Sequence, residues 1–100
     1  MLQVQKIVDG ARVTLLLNGR VDAVTSAQLD EAIQSISPDT EELVLDMGKL
    51  EYVSSAGLRV LLRGAKKVHA QGGLYISQNV PELIHETLEM TRMLILFDNE

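Results

Sequence analysis

The stretch Leu45-Asp46-Met47-Gly48-Lys49-Leu50-Glu51-Tyr52-Val53-Ser54-Ser55-Ala56-Gly57-Leu58-Arg59-Val60-Leu61-Leu62 decides how this chain is read. It continues the apolar run Leu43-Val44-Leu45, the pattern of a short strand covered on both faces. Further on, Leu58, Leu61, Leu62, Ala65 and Val68 recur at helical spacing. Residues 46–53 between them predict a loop. The helix is expected over Ser55 to Ala70 and closed by Gln71-Gly72-Gly73, since glycine accepts the left-handed geometry of a helix C-terminus. Ser54 and Ser55 stand at its start. A helix N-terminus leaves backbone N–H groups unpaired and carries partial positive charge. A serine there is either a plain cap or a position that tolerates a phosphate. Two adjacent serines exceed what a cap needs, and the small Ala56 and Gly57 leave the backbone open to a close partner.

Elements alternate on both sides of this stretch. Val4 to Val8 reads as an edge strand, with Asp9-Gly10 as a turn. Val13 to Leu17 reads as a strand near the sheet centre, bounded by Asn18-Gly19, and Arg20 to Ala23 as a loop. Thr25 and Gln28 fit a capping box, with Val24 and Leu29 as a hydrophobic staple. Leu29, Ala32, Ile33 and Ile36 form the stripe of that first helix, which Pro38 stops near Ser37. Leu74 to Ser77 predicts a further strand. Pro81 opens a third helix running to about Met90, with Leu83, Ile84, Thr87, Leu88 and Thr91 inward. Leu94 to Phe97 predicts a short last strand or extended tail. The order β-β-α-β-α-β-α-β implies an α/β layer fold: one domain over residues 1–100, with a four- to five-stranded mixed sheet and three main helices.

Composition narrows the function. At 46% hydrophobic and 23% charged residues the chain can bury a core and remain soluble. No cysteine is present, so disulfides and thiolate metal sites are excluded. No signal-peptide pattern opens the chain and no apolar run has membrane-spanning length, so cytoplasmic residence without membrane insertion is expected. A net charge of −5 argues against direct nucleic acid binding. Arg59, Arg63, Lys66 and Lys67 nonetheless cluster on the second helix, either as a solvated face or as a docking stripe for an acidic partner.

A search for catalytic groups finds little. His69 and His85 lie within helices in no metal-ligand spacing, no Gly-x-Ser-x-Gly elbow surrounds a serine, and the glycines form no phosphate loop. Asp22 and Asp46 follow strands, where a carboxylate either acts or simply ends the strand. The chain is expected not to be an enzyme and to need no metal or cofactor.

Leu45 to Leu62, ending in Ser54-Ser55-Ala56-Gly57-Leu58, together with Leu17-Asn18-Gly19-Arg20-Val21-Asp22-Ala23, resembles the STAS domain, the fold of bacterial anti-sigma factor antagonists. The resemblance covers almost the whole chain. It implies a protein-interaction switch that binds an anti-sigma factor, often a GHKL-type serine kinase, and so frees a sigma factor. The kinase phosphorylates a serine at the start of the second helix, and a PP2C-type phosphatase restores it. Aligned on Gly57-Leu58, Ser55 falls on the phosphoacceptor. Ser54 falls on the Asp that usually precedes it and is an alternative acceptor. Asp22 matches an acidic loop residue at the partner surface, which would also take in Ser54, Ser55, Ala56, Gly57, Arg59 and Arg63. Arg92 stands where the family often has glycine. The other role the resemblance allows is a structural subunit of a transporter complex or signalling scaffold, in which Ser55 only caps the helix.

Overall fold

The computed structural model describes residues 1–98. Strands β1 (Leu2–Asp9) and β2 (Arg12–Val21) form an antiparallel hairpin whose register pairs Asp9 with Arg12 across Gly10-Ala11, with Gly10 at φ +59°. Helix α1 (Ser26–Gln34) leads to β3 (Glu42–Val53), which lies parallel to β2. Helix α2 (Ser55–Ala70) leads to β4 (Leu74–Gln78), parallel to β3, and helix α3 (Glu82–Met90) follows. The sheet order is β1-β2-β3-β4. Helices α1 and α2 touch, so the two crossovers lie on one face of the sheet, as the right-handed rule for parallel strands requires.

Alternation along β2 buries Val13, Leu15, Leu17 and Val21. They share one core with Leu29 and Ile33 of α1, Leu58, Leu61, Ala65 and Val68 of α2, and Ile84 and Leu88 of α3. Tyr75 of β4 is fully buried in that core. Its hydroxyl donates to the Leu61 carbonyl at 3.0 Å, and burial pushes its phenol above the ordinary range. Gly64 makes room for it: a Cβ there would sit 2.7 Å from the Tyr75 hydroxyl and 3.2 Å from Ile33.

Several local expectations change. The predicted loop over 46–53 is strand, because β3 takes up two bulges against β2 instead of stopping. Between Leu16/Asp46 and Asn18/Lys49, and again between Gly19/Leu50 and Arg20/Tyr52, β3 advances one residue more than its partner. The Asp46 carboxylate accepts the Gly48 N–H at 3.0 Å within the first bulge. Strand β2 likewise runs on through Asn18-Gly19. Gly19 takes φ +116° against the Met1 carbonyl, which accepts the Arg20 N–H at 3.0 Å, so glycine serves a close backbone approach there and not a turn.

The capping box forms three residues earlier than expected. The Asp22 carboxylate accepts from the N–H groups of Val24 (3.0 Å) and Thr25 (2.9 Å), and the Thr25 hydroxyl accepts the Asp22 N–H at 2.9 Å. Asp22 and Thr25 thus satisfy each other, and the Ser26 N–H already bonds the Asp22 carbonyl. Thr25 makes no side-chain cap bond to the helix, and Gln28 reaches instead to the Leu2 carbonyl. Val24 is 85% exposed and staples nothing. Helix α1 ends at Gln34, before Ser37. On α3, Ile84 and Leu88 are buried, but Leu83 is 63% exposed.

Helices α2 and α3 end alike. In α2 the Gly72 N–H bonds the His69 carbonyl and the Gly73 N–H that of Val68, with Gly72 at φ +77°. In α3 the Arg92 N–H bonds Glu89 and the Met93 N–H bonds Leu88, with Arg92 at φ +60°. Both are Schellman closures, and the second holds a side chain in left-handed geometry. That turn diverts the chain, so residues 94–97 add no fifth strand. Leu94–Leu96 is a single 3-10 turn, after which Phe97 is extended.

Replacing Arg92 by Gly is expected to raise unfolding stability by about 0.5–1 kcal/mol, the left-handed strain less the entropy of glycine; a denaturant titration in which R92G is no more stable would refute this. Gly64→Ala is expected to cost about 1–3 kcal/mol by overpacking. Adding Tyr75→Phe removes the atom it strikes, so a double-mutant cycle should show G64A costing less in that background.

Candidate functional site

The ends of β2 and β3 are tied by the Ser54 N–H, which donates to the Val21 carbonyl at 2.8 Å. This bond sets Ser54 beside Asp22 and makes it the residue at which the strand ends and α2 begins. Ser54 has extended backbone (φ −83°, ψ 175°), its hydroxyl accepts the Gly57 N–H at 3.3 Å, and its carbonyl accepts the Leu58 N–H at 2.9 Å. Cap duty therefore belongs to Ser54. Ser55 is the first helical residue, exposed, and its hydroxyl has no hydrogen-bond partner among the described residues. Of the two serines, Ser54 takes the cap and Ser55 leaves its hydroxyl unengaged among the described residues.

Gly57 is buried, and its small size is used inward. A Cβ there would lie 2.7 Å from Val21 Cγ1 and 2.8 Å from Val53 Cγ1. Glycine lets the first turn of α2 rest on the ends of both strands. Ala56, one residue earlier, is half-buried at the surface.

The Asp22 carboxylate is held in the cap of α1. The Thr25 backbone N–H, its hydroxyl and the Val24 N–H keep its pKa below the ordinary carboxylate value. This bonding also fixes the exposed Val24 at the same corner as Ser54. Arg20 and Tyr52 pair across β2 and β3, with the guanidinium 4.5 Å from the ring centroid. Sequence reasoning passed over this pair, since a 46–53 loop leaves Tyr52 without a face. Strand register puts Val53 inward and Tyr52 outward.

The cations of α2 separate by role. Arg63 lies 3.4 Å from the half-buried Asp30 of α1, and with its own side chain exposed the pair contributes little stability. Arg59 is exposed and in no ion pair among the described residues. It follows Ser55 by four residues and so shares its side of the helix. Lys66 is exposed and Lys67 half-buried. Among the described residues no group of three or more His, Cys, Asp or Glu is placed to hold a metal ion, and no helix is long and apolar enough to cross a membrane.

Known proteins share this architecture. A family model described as "Mlab, STAS domain" matches residues 5–96. BtrV of Bordetella bronchiseptica, provisionally named an anti-sigma factor antagonist, is 35% identical over 92 residues, spanning 90% of this chain and 78% of its own. An anti-sigma F factor antagonist of Paenibacillus polymyxa is 33% identical over 91 residues, spanning 84% and 76%. The crystal structure of an anti-sigma factor antagonist from Mycobacterium paratuberculosis superposes with a TM-score of 0.82 at 20% identity, over 97% of this chain and 83% of that one. The Bacillus cell fate determinant SpoIIAA in its phosphorylated form does so with a TM-score of 0.74 at 16% identity, over 100% and 91%. With its match along nearly the whole length, two relatives above 30% identity and a shared fold, this chain belongs to the STAS-domain family.

Proposed function

We propose that this protein is an anti-sigma factor antagonist, a non-catalytic binding module switched by phosphorylation of Ser55. The observation that carries the reading is the division of labour at the start of α2: Ser54 caps, and Ser55 is exposed with its hydroxyl unengaged. A phosphate on Ser55 adds about −1.5 to −2 charge. It would sit at the positive end of α2, where the helix dipole accepts it, with Arg59 one turn on. The fold need not rearrange; the change falls on the surface that a partner touches. That surface comprises Asp22, Ser54, Ser55, Ala56 and the outer side of α2 through Arg59 and Arg63. Its partner in this reading is an anti-sigma factor with GHKL-type serine kinase activity, and a PP2C-type phosphatase reverses the mark. The names of the two relatives support the anti-sigma factor assignment. Cytoplasmic residence fits the same reading.

A second reading is a STAS subunit of a transporter assembly without phosphorylation; the solved structure of a sulfate transporter family protein from Wolinella succinogenes shares this fold, with a TM-score of 0.80 at 14% identity over 93% of this chain and 76% of that one. The two part on the partner: recovery with a transporter ATPase selects the second, recovery with an anti-sigma kinase the first.

Incubation with an anti-sigma kinase from the same organism and ATP, followed by mass spectrometry, should place the phosphate on Ser55; a phosphate elsewhere, or none with a kinase that binds the protein, overturns the reading. Thermal and denaturant melts should separate the serines. Ser54→Ala is expected to cost about 0.5–1 kcal/mol as a lost cap, while Ser55→Ala and Ser55→Asp leave stability nearly unchanged. Ser55→Asp should nevertheless weaken kinase binding in a calorimetric titration.

A further inference from the structure

Strand β4, Leu74-Tyr75-Ile76-Ser77-Gln78, is an edge strand paired only with β3. It carries no charge, no proline and no glycine, and it is rich in residues that favour strands. Exposed edges of this kind invite pairing with another chain. The opposite edge, β1, carries Lys6 and Asp9, charges that discourage such pairing.

The segment after α3 covers β4 at one point. The Asp98 N–H donates to the Tyr75 carbonyl at 2.7 Å, and the Asp98 carboxylate accepts the Tyr75 N–H at 2.8 Å. One residue thereby satisfies both backbone groups that Tyr75 turns outward, its side chain standing in for a strand carbonyl. The same carboxylate oxygen lies 2.8 Å from His69 Nε2 of α2, and Phe97 stacks on Tyr75 with ring centroids 4.8 Å apart and planes at 7°. These bonds hold the Asp98 carboxyl below its ordinary pKa. The described bonds of this segment stop at Tyr75. Backbone groups alternate in direction along a strand, so those of Ser77 face the same edge as those of Tyr75.

We propose that Phe97-Asp98 is a strap, with Asp98 as its catch, that keeps the β4 edge closed to antiparallel addition of β4 from a second copy of this chain. The self-pairing geometry follows from the register. A two-fold axis at Ile76 sets Tyr75 of each copy opposite Ser77 of the other, and each such pair exchanges both N–H···O bonds. With no charge on β4, nothing in the strand repels its own copy. The inference is independent of the role of Ser55.

The test uses the full chain. In Asp98→Ala, hydrogen exchange at the Tyr75 amide in dilute solution should be at least about tenfold faster than in wild type, and light scattering over a concentration series should show a dimer that wild type does not form. Ser77→Pro removes an outward N–H that an edge strand can do without, so D98A/S77P should return to monomer. If D98A does not fold, Asp98→Ser, whose shorter polar side chain does not extend to the Tyr75 N–H as the carboxylate does, decides through the same readouts. Unchanged Tyr75 exchange overturns the role of Asp98 as catch. Faster exchange without self-association, or a dimer indifferent to S77P, overturns the closure of β4 against a second copy.

Discussion

The contact of Gly57 with Val21 and Val53 governs the functional end of this molecule. Because no Cβ intervenes, the first turn of α2 lies directly on the ends of two parallel strands, and the bond from the Ser54 N–H to Val21 locks it there. Three consequences follow from that one close approach. Ser54 is left in extended geometry with its hydroxyl aimed at the Gly57 N–H, Ser55 starts the helix facing outward, and the Asp22 turn is brought alongside. A larger residue at position 57 would lift α2 and dissolve all three relations together.

Much of this was legible in the chain because it is carried by local chemistry. The limits of α2 follow from the serines before it and Gly72-Gly73 after it, and the buried run 43–45 follows from its unbroken apolarity. The misread segment, 46–53, has a physical cause. The buried side chains of β3 fall at 43, 44, 45, 47, 50 and 53, so the spacing widens where the bulges enter, and period-two reading fails there. Asn18-Gly19 deceived for a related reason: a dipeptide that elsewhere turns the chain here admits the Met1 carbonyl. The capping box slipped because the pattern of Thr25 and Gln28 competes with that of Asp22 and Thr25, and the carboxylate is the better acceptor for two N–H groups. Which of two adjacent serines caps a helix is decided by strand pairing at Val21, a tertiary fact that no local window contains.

The two ends of the sheet use carboxylates in opposite ways. Asp22 turns inward on its own loop and makes the corner beside Ser54 rigid. Asp98 reaches across to another element and joins β4, α2 and the segment after α3 at a single oxygen. The first organises a surface for contact, the second closes one. Ser54 adds a further contrast: a hydroxyl cap leaves the start of α2 without a fixed anion, so a charge placed on Ser55 would not meet a neighbouring carboxylate on residue 54.

The distribution of aromatic rings has an optical consequence. The chain has no tryptophan and two tyrosines. Tyr52 lies toward the finish of β3, under Arg20 and within reach of solvent; Tyr75 pairs with Leu43 near the beginning of the same strand, sealed beneath Phe97. Intrinsic ultraviolet emission therefore comes from two residues in contrasting environments at opposite ends of the sheet. Exchanging either for phenylalanine would leave a single native fluorophore at one end, with no attached dye.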